Sequence, residues 1–464
     1  MKKIAILILG AALVATPGFT QEDDENDGFG DIESMFEEED MIQEEDEQQD
    51  SEEGDESSRD SGASYDSFLV TEETEIGGRF SASAEANWAW NEYPETWDDL
   101  WPVETRRLSP SLSSDIYIDA RPNEDFRVFT KVRASYPFEQ DSAVTVREMF
   151  SDFDWEDSLF FRVGKHTIKW GVGHFWSPAD VLNLTPIDPE DPDAEQEGPF
   201  SARLQYPFDI HNLYVYSILN DVTQPEDIAL AVKTEFVTGT VETGLGIFYR
   251  YDLAPRAMVM VTSPLGDFDI FTEAVVSYGS DRTFIREIDD PPFYETYTRE
   301  DEVFFSGTVG GSYFGTDPSI SVAAQYFFNG EGYADTELYA DLADPVTGGA
   351  IAAALGYDLS TEEGASQVMS ELARLMNNWS MHYIGISLGW SSILDSDFSF
   401  NTLVLSSLPD FSGVIMPSVS YSFFEQMRIS IGGTFQFGES GDYYTPNGAG
   451  MSTSLTVGLS SGSF

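Results

Sequence analysis

The chain has 464 residues, with 83 Asp and Glu against 23 Lys and Arg, a formal charge of −60 at pH 7. That charge argues against a non-specific nucleic-acid binder, which needs a basic footprint, and the absence of Cys excludes disulfides, thiolate catalysis and Cys-ligated metal sites. Aromatic residues make up 14% of the chain and Gly contributes 38, whereas a multi-span helical protein would need several apolar runs of about 20 residues; the balance points to a β-rich envelope protein.

The N-terminus reads as an export signal over residues 1–20. Lys2 and Lys3 form a positive start, Ile4 to Ala15 an apolar run, and small or polar residues follow up to Gln21. The run is too short to span a bilayer and suits a cleaved leader. Residues 21–70 form an acidic segment. Between Glu22 and Asp60 there are 21 acidic residues and one basic residue, Arg59. Such a stretch cannot bury enough apolar surface to offset the entropy of ordering, so it reads as a disordered, solvated spacer.

From 71 to 464 the pattern changes to strict alternation. Phe80 to Trp90 carries apolar residues at even positions. Leu112, Ile116, Ile118 and Ala120 alternate with Asp115, Tyr117, Asp119 and Arg121, and Phe126, Val128, Val132 and Ala134 with Arg127, Lys131 and Arg133. A period of two marks a strand with one apolar and one wet face. Further strands are expected at 143–155, 158–170, 199–206, 210–219, 226–238, 240–252, 255–263, 267–279, 302–314, 319–329, 381–393, 397–407, 412–424, 426–437 and 450–464. The alternation is weakest at 199–206, so the count is 16 to 18. Many of these runs match the tilted span of about 9–11 residues needed to cross a bilayer. Trp88, Trp90, Trp155, Trp170, Tyr278, Tyr383 and Trp390 fall near strand ends, where interfacial girdles sit. Backbone groups in lipid must pair internally, so the sheet must close. The expected fold is an all-β, closed antiparallel transmembrane barrel in the outer membrane. No repeat of 20–50 residues supports a solenoid or propeller instead.

A barrel of this size leaves a water-filled lumen, which implies passage of small hydrophilic solutes. Eleven of the 23 basic residues lie between Arg79 and Lys169. Alternation directs Arg121, Arg127, Lys131, Arg133 and Arg147 inward, a basic strip suited to a mild anion preference. Asp115 and Asp119 share that wall, so a paired, weakly selective lumen is the plainer reading. Glu148 is out of phase, because strict alternation places it in lipid with Val144 and Val146 unless a bulge intervenes.

One segment carries more than composition. Arg147 and Glu148 are followed by Gly164, Lys165, Ile168, Trp170 and Gly171, then by Pro178, Asp180 and Asn183. This spacing resembles porin-like bacterial outer-membrane barrels that carry Arg-Glu in one strand, Gly-[Lys/Arg]-Gln-x-[Ile/Val]-x-Trp-Gly in the next, and Pro-x-Asp-x-x-Asn after it; His166 stands where Gln is usual. The resemblance covers under a tenth of the chain and implies an outer-membrane barrel without naming a solute. Gly171 and Gly173 are read as permitting a sharp turn. The loop that follows, with Pro178, Pro186, Pro189 and Pro192, is too donor-poor for a central strand and is expected to constrict or cap the pore.

Residues 331–380 form an expected helical insertion. Ser360 to Glu363 reads as a capping box, Val368, Leu372, Leu375 and Met376 as an apolar stripe, and Ala350 to Tyr357 as a shorter helix before it. The terminal Phe464, after Leu455, Val457 and Leu459, resembles the signal read by barrel-assembly machinery, with a register slip at 460–463. Four His residues, His166, His174, His211 and His382, show no metal-ligand spacing. No nucleophile elbow is present, so no catalytic residue, metal or cofactor is assigned. The expected partners are the outer-membrane bilayer, the assembly machinery and small solutes, with no nucleic acid; the oligomeric state is left open. The alternative to a channel is a non-conducting surface barrel acting through loops 91–106, 281–301 and 331–380.

Overall fold

The computed structural model describes residues 70–71, 74–96, 103, 105–137, 143–156, 158–289, 293–334, 336–354, 356, 370, 372, 374–424 and 426–463. The export signal, nearly all of the acidic segment, the capping box at 360–363, Val368 and Phe464 lie outside the described residues.

Eighteen strands form the barrel. In chain order they are β1 (Thr74–Trp90), β2 (Thr105–Asn123), β3 (Phe126–Tyr136), β4 (Val144–Trp155), β5 (Leu159–Lys165), β6 (Phe200–Phe208), β7 (His211–Ile218), β8 (Ala229–Thr238) and β9 (Val241–Tyr249). They continue with β10 (Arg256–Leu265), β11 (Phe268–Tyr278), β12 (Val303–Thr316), β13 (Ser319–Phe328), β14 (His382–Trp390), β15 (Phe398–Ser407), β16 (Ser412–Phe424), β17 (Met427–Phe437) and β18 (Met451–Ser463). Each pairs antiparallel with its chain neighbour, and β1 pairs with β18 from Arg79↔Ser463 to Trp90↔Met451, which closes the sheet. The segment with the weakest alternation is therefore a genuine strand, β6. Closure leaves no exposed sheet edge, as a spanning sheet requires.

The connections divide by length between the two rims. One rim carries tight links such as 124–125, 209–210, 239–240, 266–267, 317–318 and 425–426. The other carries the long loops 91–104, 166–199, 279–302, 329–381 and 438–450.

Polarity is inverted relative to a water-soluble sandwich. Leu112, Ile116 and Ile118 are 44, 49 and 43% exposed on the outer surface, with Ile247, Val276, Val309, Ile386, Val419 and Ile431 continuing the band around the cylinder. Asp119, Glu273, Gln325 and Ser387 are buried on the inner face. Period-two alternation produces this directly, since successive side chains point to opposite faces.

Two irregularities read from the sequence have structural counterparts. Lys131 pairs with Glu148 while Val132 pairs with Val146, so a bulge takes up Arg147. Val146 and Met149 stay outside, and Glu148 turns inward, where its Oε1 accepts the Thr167 N–H at 3.2 Å. At the last strand, Ser81 pairs with Ser460 but Arg79 with Ser463, with Gly462 at φ +68° accommodating the extra residues.

Other readings need correction. The strand expected over 158–170 ends at Lys165. Residues 166–170 keep the two-residue rhythm because they run extended along the inside of the barrel, with His166, Ile168 and Trp170 buried against the wall. Trp155 and Tyr278 do sit exposed at outward strand ends, but Trp170 and Tyr383 are each 1% exposed and face inward, so neither joins a girdle.

At the long-loop rim, the described residues of 279–302 and 331–380 build a cap with its own core. A small hairpin (Phe284–Glu287 with Tyr294–Tyr297) meets helices α1 (Glu337–Ala343) and α2 (Pro345–Ala354), and a helical stretch that includes Leu372, Leu375 and Met376. Ile285, Tyr339, Leu342, Ile351, Leu372, Leu375 and Trp379 interdigitate there, and the Tyr333 and Trp379 rings stack at 4.0 Å. Each such buried side chain contributes about 1.5–3 kcal/mol.

Candidate functional site

The site is the lumen wall together with loop 166–199, which lies against it. Gly164 prepares the departure from β5. Its φ is +141°, and a Cβ there would meet the Phe150 Cα at 2.6 Å, so only glycine lets the chain leave this close to β4. The loop then crosses toward β7–β10. Ile168 and Trp170 bury against Tyr216, Ala231, Met258 and Met260. The Trp170 Nε1–H donates to Met258 Sδ at 2.7 Å, and Lys233 Nζ lies 5.8 Å from the indole ring centre.

Glu273 on β11 holds the next turn of chain. Its carboxylate accepts the N–H groups of Val172, Gly173 (2.6 Å) and Ala179 (3.1 Å) and the Ser177 hydroxyl (2.9 Å). Gly171 and Gly173 exist for this approach rather than for a turn. A Cβ on Gly171 would overlap the Ser177 Oγ and come within 2.7 Å of Glu273 Oε1, and one on Gly173 would overlap the Trp176 carbonyl. Gln325 on β13 repeats the device. Its Oε1 accepts the N–H groups of His174 (2.9 Å) and Phe175 (2.8 Å), and its Nε2 donates to the Trp176 carbonyl and Thr308 Oγ1, both at 2.5 Å. Phe175 and Trp176 then bury among Phe327, Tyr383, Leu403 and Leu405.

The loop returns through Asp180 and Asn183. Asn183 Oδ1 accepts the Ile168 N–H at 2.9 Å, and its Nδ2 donates to the Ile168 carbonyl at 2.9 Å and to Asp180 Oδ1 at 3.0 Å. Gln196 Nε2 donates to Asp180 Oδ2 at 2.6 Å. Asp180 and Asn183 thus clamp the outgoing limb to the returning one. Burial raises the Asp180 carboxyl above its usual range, against the opposing pull of these donors. Glu190, at the loop tip, is pushed up to about 8 by burial and by the neighbouring Asp188 charge. His166 is pushed down to about 4, first by burial and then by Arg162 and Arg203, so it is neutral at physiological pH.

The basic strip faces the lumen as a paired wall. Arg127 holds Asp119 at 2.8 Å and approaches Asp152 at 3.7 Å. Arg133 forks onto Asp115 at 2.7 and 2.9 Å. Arg121 is the outlier, 64% exposed with Asp119 at 3.7 Å, and Arg147 lies near enough to Asp115 to act on its charge. The returning limb of the loop supplies further acids. Lys131 bonds Glu195 at 2.7 Å, Arg133 reaches the same carboxylate at 3.2 Å, and Lys165 bonds Glu197 at 2.5 Å. Arg162, with Asp152 at 2.7 Å, stacks 4.0 Å from the Phe150 ring centre.

Gly164 and Lys165 end β5, and Trp170, Gly171, Pro178, Asp180 and Asn183 lie in the loop that follows; the sequence reading did not single out Glu273 and Gln325 as its anchors. The available signal was a carboxylate and a carboxamide at inward positions with no cation opposite. Among the described residues, no group of three or more His, Cys, Asp or Glu could hold a metal ion.

No protein-family model matches the sequence, and no curated protein matches it. Solved barrels resemble the chain in outline. OccK8 (OprE) of Pseudomonas aeruginosa is 10% identical, covering 84% of this chain and 99% of its own, with a TM-score of 0.45. OccAB1 of Acinetobacter baumannii is 9% identical, covering 83% and 96%, with a TM-score of 0.44. OmpF of Salmonella typhi, solved with daunomycin, is 9% identical, covering 83% and 97%, with a TM-score of 0.40.

Proposed function

We propose that this protein is a porin-like channel of the bacterial outer membrane, exported through a cleaved leader, that lets small hydrophilic solutes diffuse across. The observation that carries the reading is the inverted polarity of a closed 18-strand cylinder: large apolar side chains lie exposed around the outside, and charged and amide side chains line the inside. An apolar band of that extent is stable only in lipid, and a barrel of this strand number encloses more space than its own side chains fill.

The lumen is narrowed by loop 166–199, whose acids neutralise much of the basic strip. Selectivity is therefore weak, with at most the mild anion preference of a wall that carries five cations, among them the solvent-exposed Arg121. A second reading, a non-conducting scaffold, draws support from the cap and from the apolar clusters around Phe175 and Trp379 inside the long-loop rim. Planar-bilayer recording on refolded protein separates the two. Discrete ion-conducting steps support the channel, and silence from protein that inserts correctly supports the scaffold. Protein that stays monodisperse without detergent and does not partition into vesicles refutes both.

A further inference from the structure

Between the cap and the constriction loop lies a cavity of about 280 Å³, against the inner wall of β10–β13. Pro178 of the constriction loop borders it on one side and Arg374, Asn377 and Asn378 of the cap on another, and its polar lining also includes Arg256, Ser277, Arg282, Ser306, Asn329 and one carboxylate, Glu331. Three guanidinium groups thus face one small space. Arg256 is compensated, bonding Asp281 Oδ2 at 2.7 Å. Arg374 donates to Thr283 Oγ1 at 3.1 Å.

Arg282 stands apart. It forms no ion pair with any described residue. Its Nη atoms donate only to main-chain carbonyls, those of Glu331 (3.2 Å), Asn378 (3.0 Å) and Leu375 (3.0 Å), and its Nε–H is buried with no partner. Tyr333 and Phe284 flank it at 5.3 and 5.8 Å. Arg282 is half-buried, and Glu331 lies near enough to act on its charge without forming an ion pair with it; a partly desolvated cation with no direct ion pair is costly, and the buried Nε–H left unmet adds to the cost. Guanidinium forks match planar or tetrahedral oxyanions, and the neighbouring amides can donate to the remaining oxygens.

We propose that this cavity is a binding site for a small oxyanion solute, a carboxylate or a phosphate, seated beside Arg282. The volume suits a compact metabolite and excludes a polymer. The site stands on the cavity and its charge and is independent of whether the barrel conducts, so its test is equilibrium binding in detergent rather than current.

Isothermal titration of the full-length protein with succinate, with inorganic phosphate and with glucose reads it out. Saturable binding of at least one anion is expected, with the two arms identifying which oxyanion class is preferred, and no saturable response to glucose. Arg282→Gln should weaken that binding at least tenfold. Because Arg282 also ties the cap to the wall, Ser306→Phe provides a second variant that fills the cavity and leaves every charge in place; it too should weaken binding at least tenfold. No saturable binding of either anion, equal binding of glucose, or undiminished affinity in Ser306→Phe would overturn the proposal.

Discussion

Removing the Glu273 carboxylate should free the constriction loop without opening the barrel. Glu273→Ala leaves β11 paired on both sides, because its strand bonds are made by the main chain. It removes the acceptor for the N–H groups of Val172, Gly173 and Ala179 and for the Ser177 hydroxyl. Each donor left without a partner costs about 1–3 kcal/mol. Lumen water can reach the three partly buried donors, so the lower end of that range applies to each of them, and with the buried Ala179 N–H at the same minimum the four together come to at least about 4 kcal/mol. At 1.4 kcal/mol per tenfold, the seated-to-detached ratio of the loop falls by about 10³. Single-channel recording should then show larger and noisier steps than wild type, and trypsin should cut after Lys169 much faster, while heat-modified mobility on gels stays that of a closed barrel. Wild-type conductance together with wild-type cleavage in Glu273→Ala would refute the assignment of Glu273 as the anchor.

Three further outcomes follow from the same geometry. Neutralising Arg127, Lys131 and Arg133 to Gln strips the counter-charges from Asp115, Asp119 and Glu195, so the reversal potential in a salt gradient should move toward cation selectivity; an unmoved potential would mean that ions do not pass this wall. Gly171→Ala forces a methyl group into the Ser177 hydroxyl and the Glu273 carboxylate, and should reproduce the fast proteolysis of Glu273→Ala, with a smaller effect if Ser177 rotates away. Glu190 binds its proton more tightly in the folded loop than in an unfolded chain, pushed up to about 8 from 4.5. Its contribution to seating the loop tip is therefore complete below about pH 4.5 and is lost as pH rises through about 8; open-channel noise should grow across that window, and Glu190→Gln should flatten the dependence.

How far the molecule could be read from its sequence depends on what period two can and cannot encode. Alternation placed all eighteen strands, because a strand in a barrel has one face in lipid and one in water, and the two solvents select opposite residues. The same rule erred at 166–170, where an extended chain laid on the inner wall also has two unlike faces, one against Tyr216 and Met258 and one toward the lumen. Nothing local distinguishes a strand that bonds its neighbours from a segment that lies across them; the difference lies in Gly164, whose φ takes the chain off the sheet. The charge on the wall was likewise half-readable. Asp115 and Asp119 are within a few residues of their partners in register, but Glu195 and Glu197 reach Lys131 and Lys165 from 64 and 32 positions away, and only the docked loop brings them together. That loop changes what the basic strip is. Lys131 and Arg133 both bond the protein's own Glu195 carboxylate, so what this part of the strip does in the fold is hold loop 166–199 against the wall.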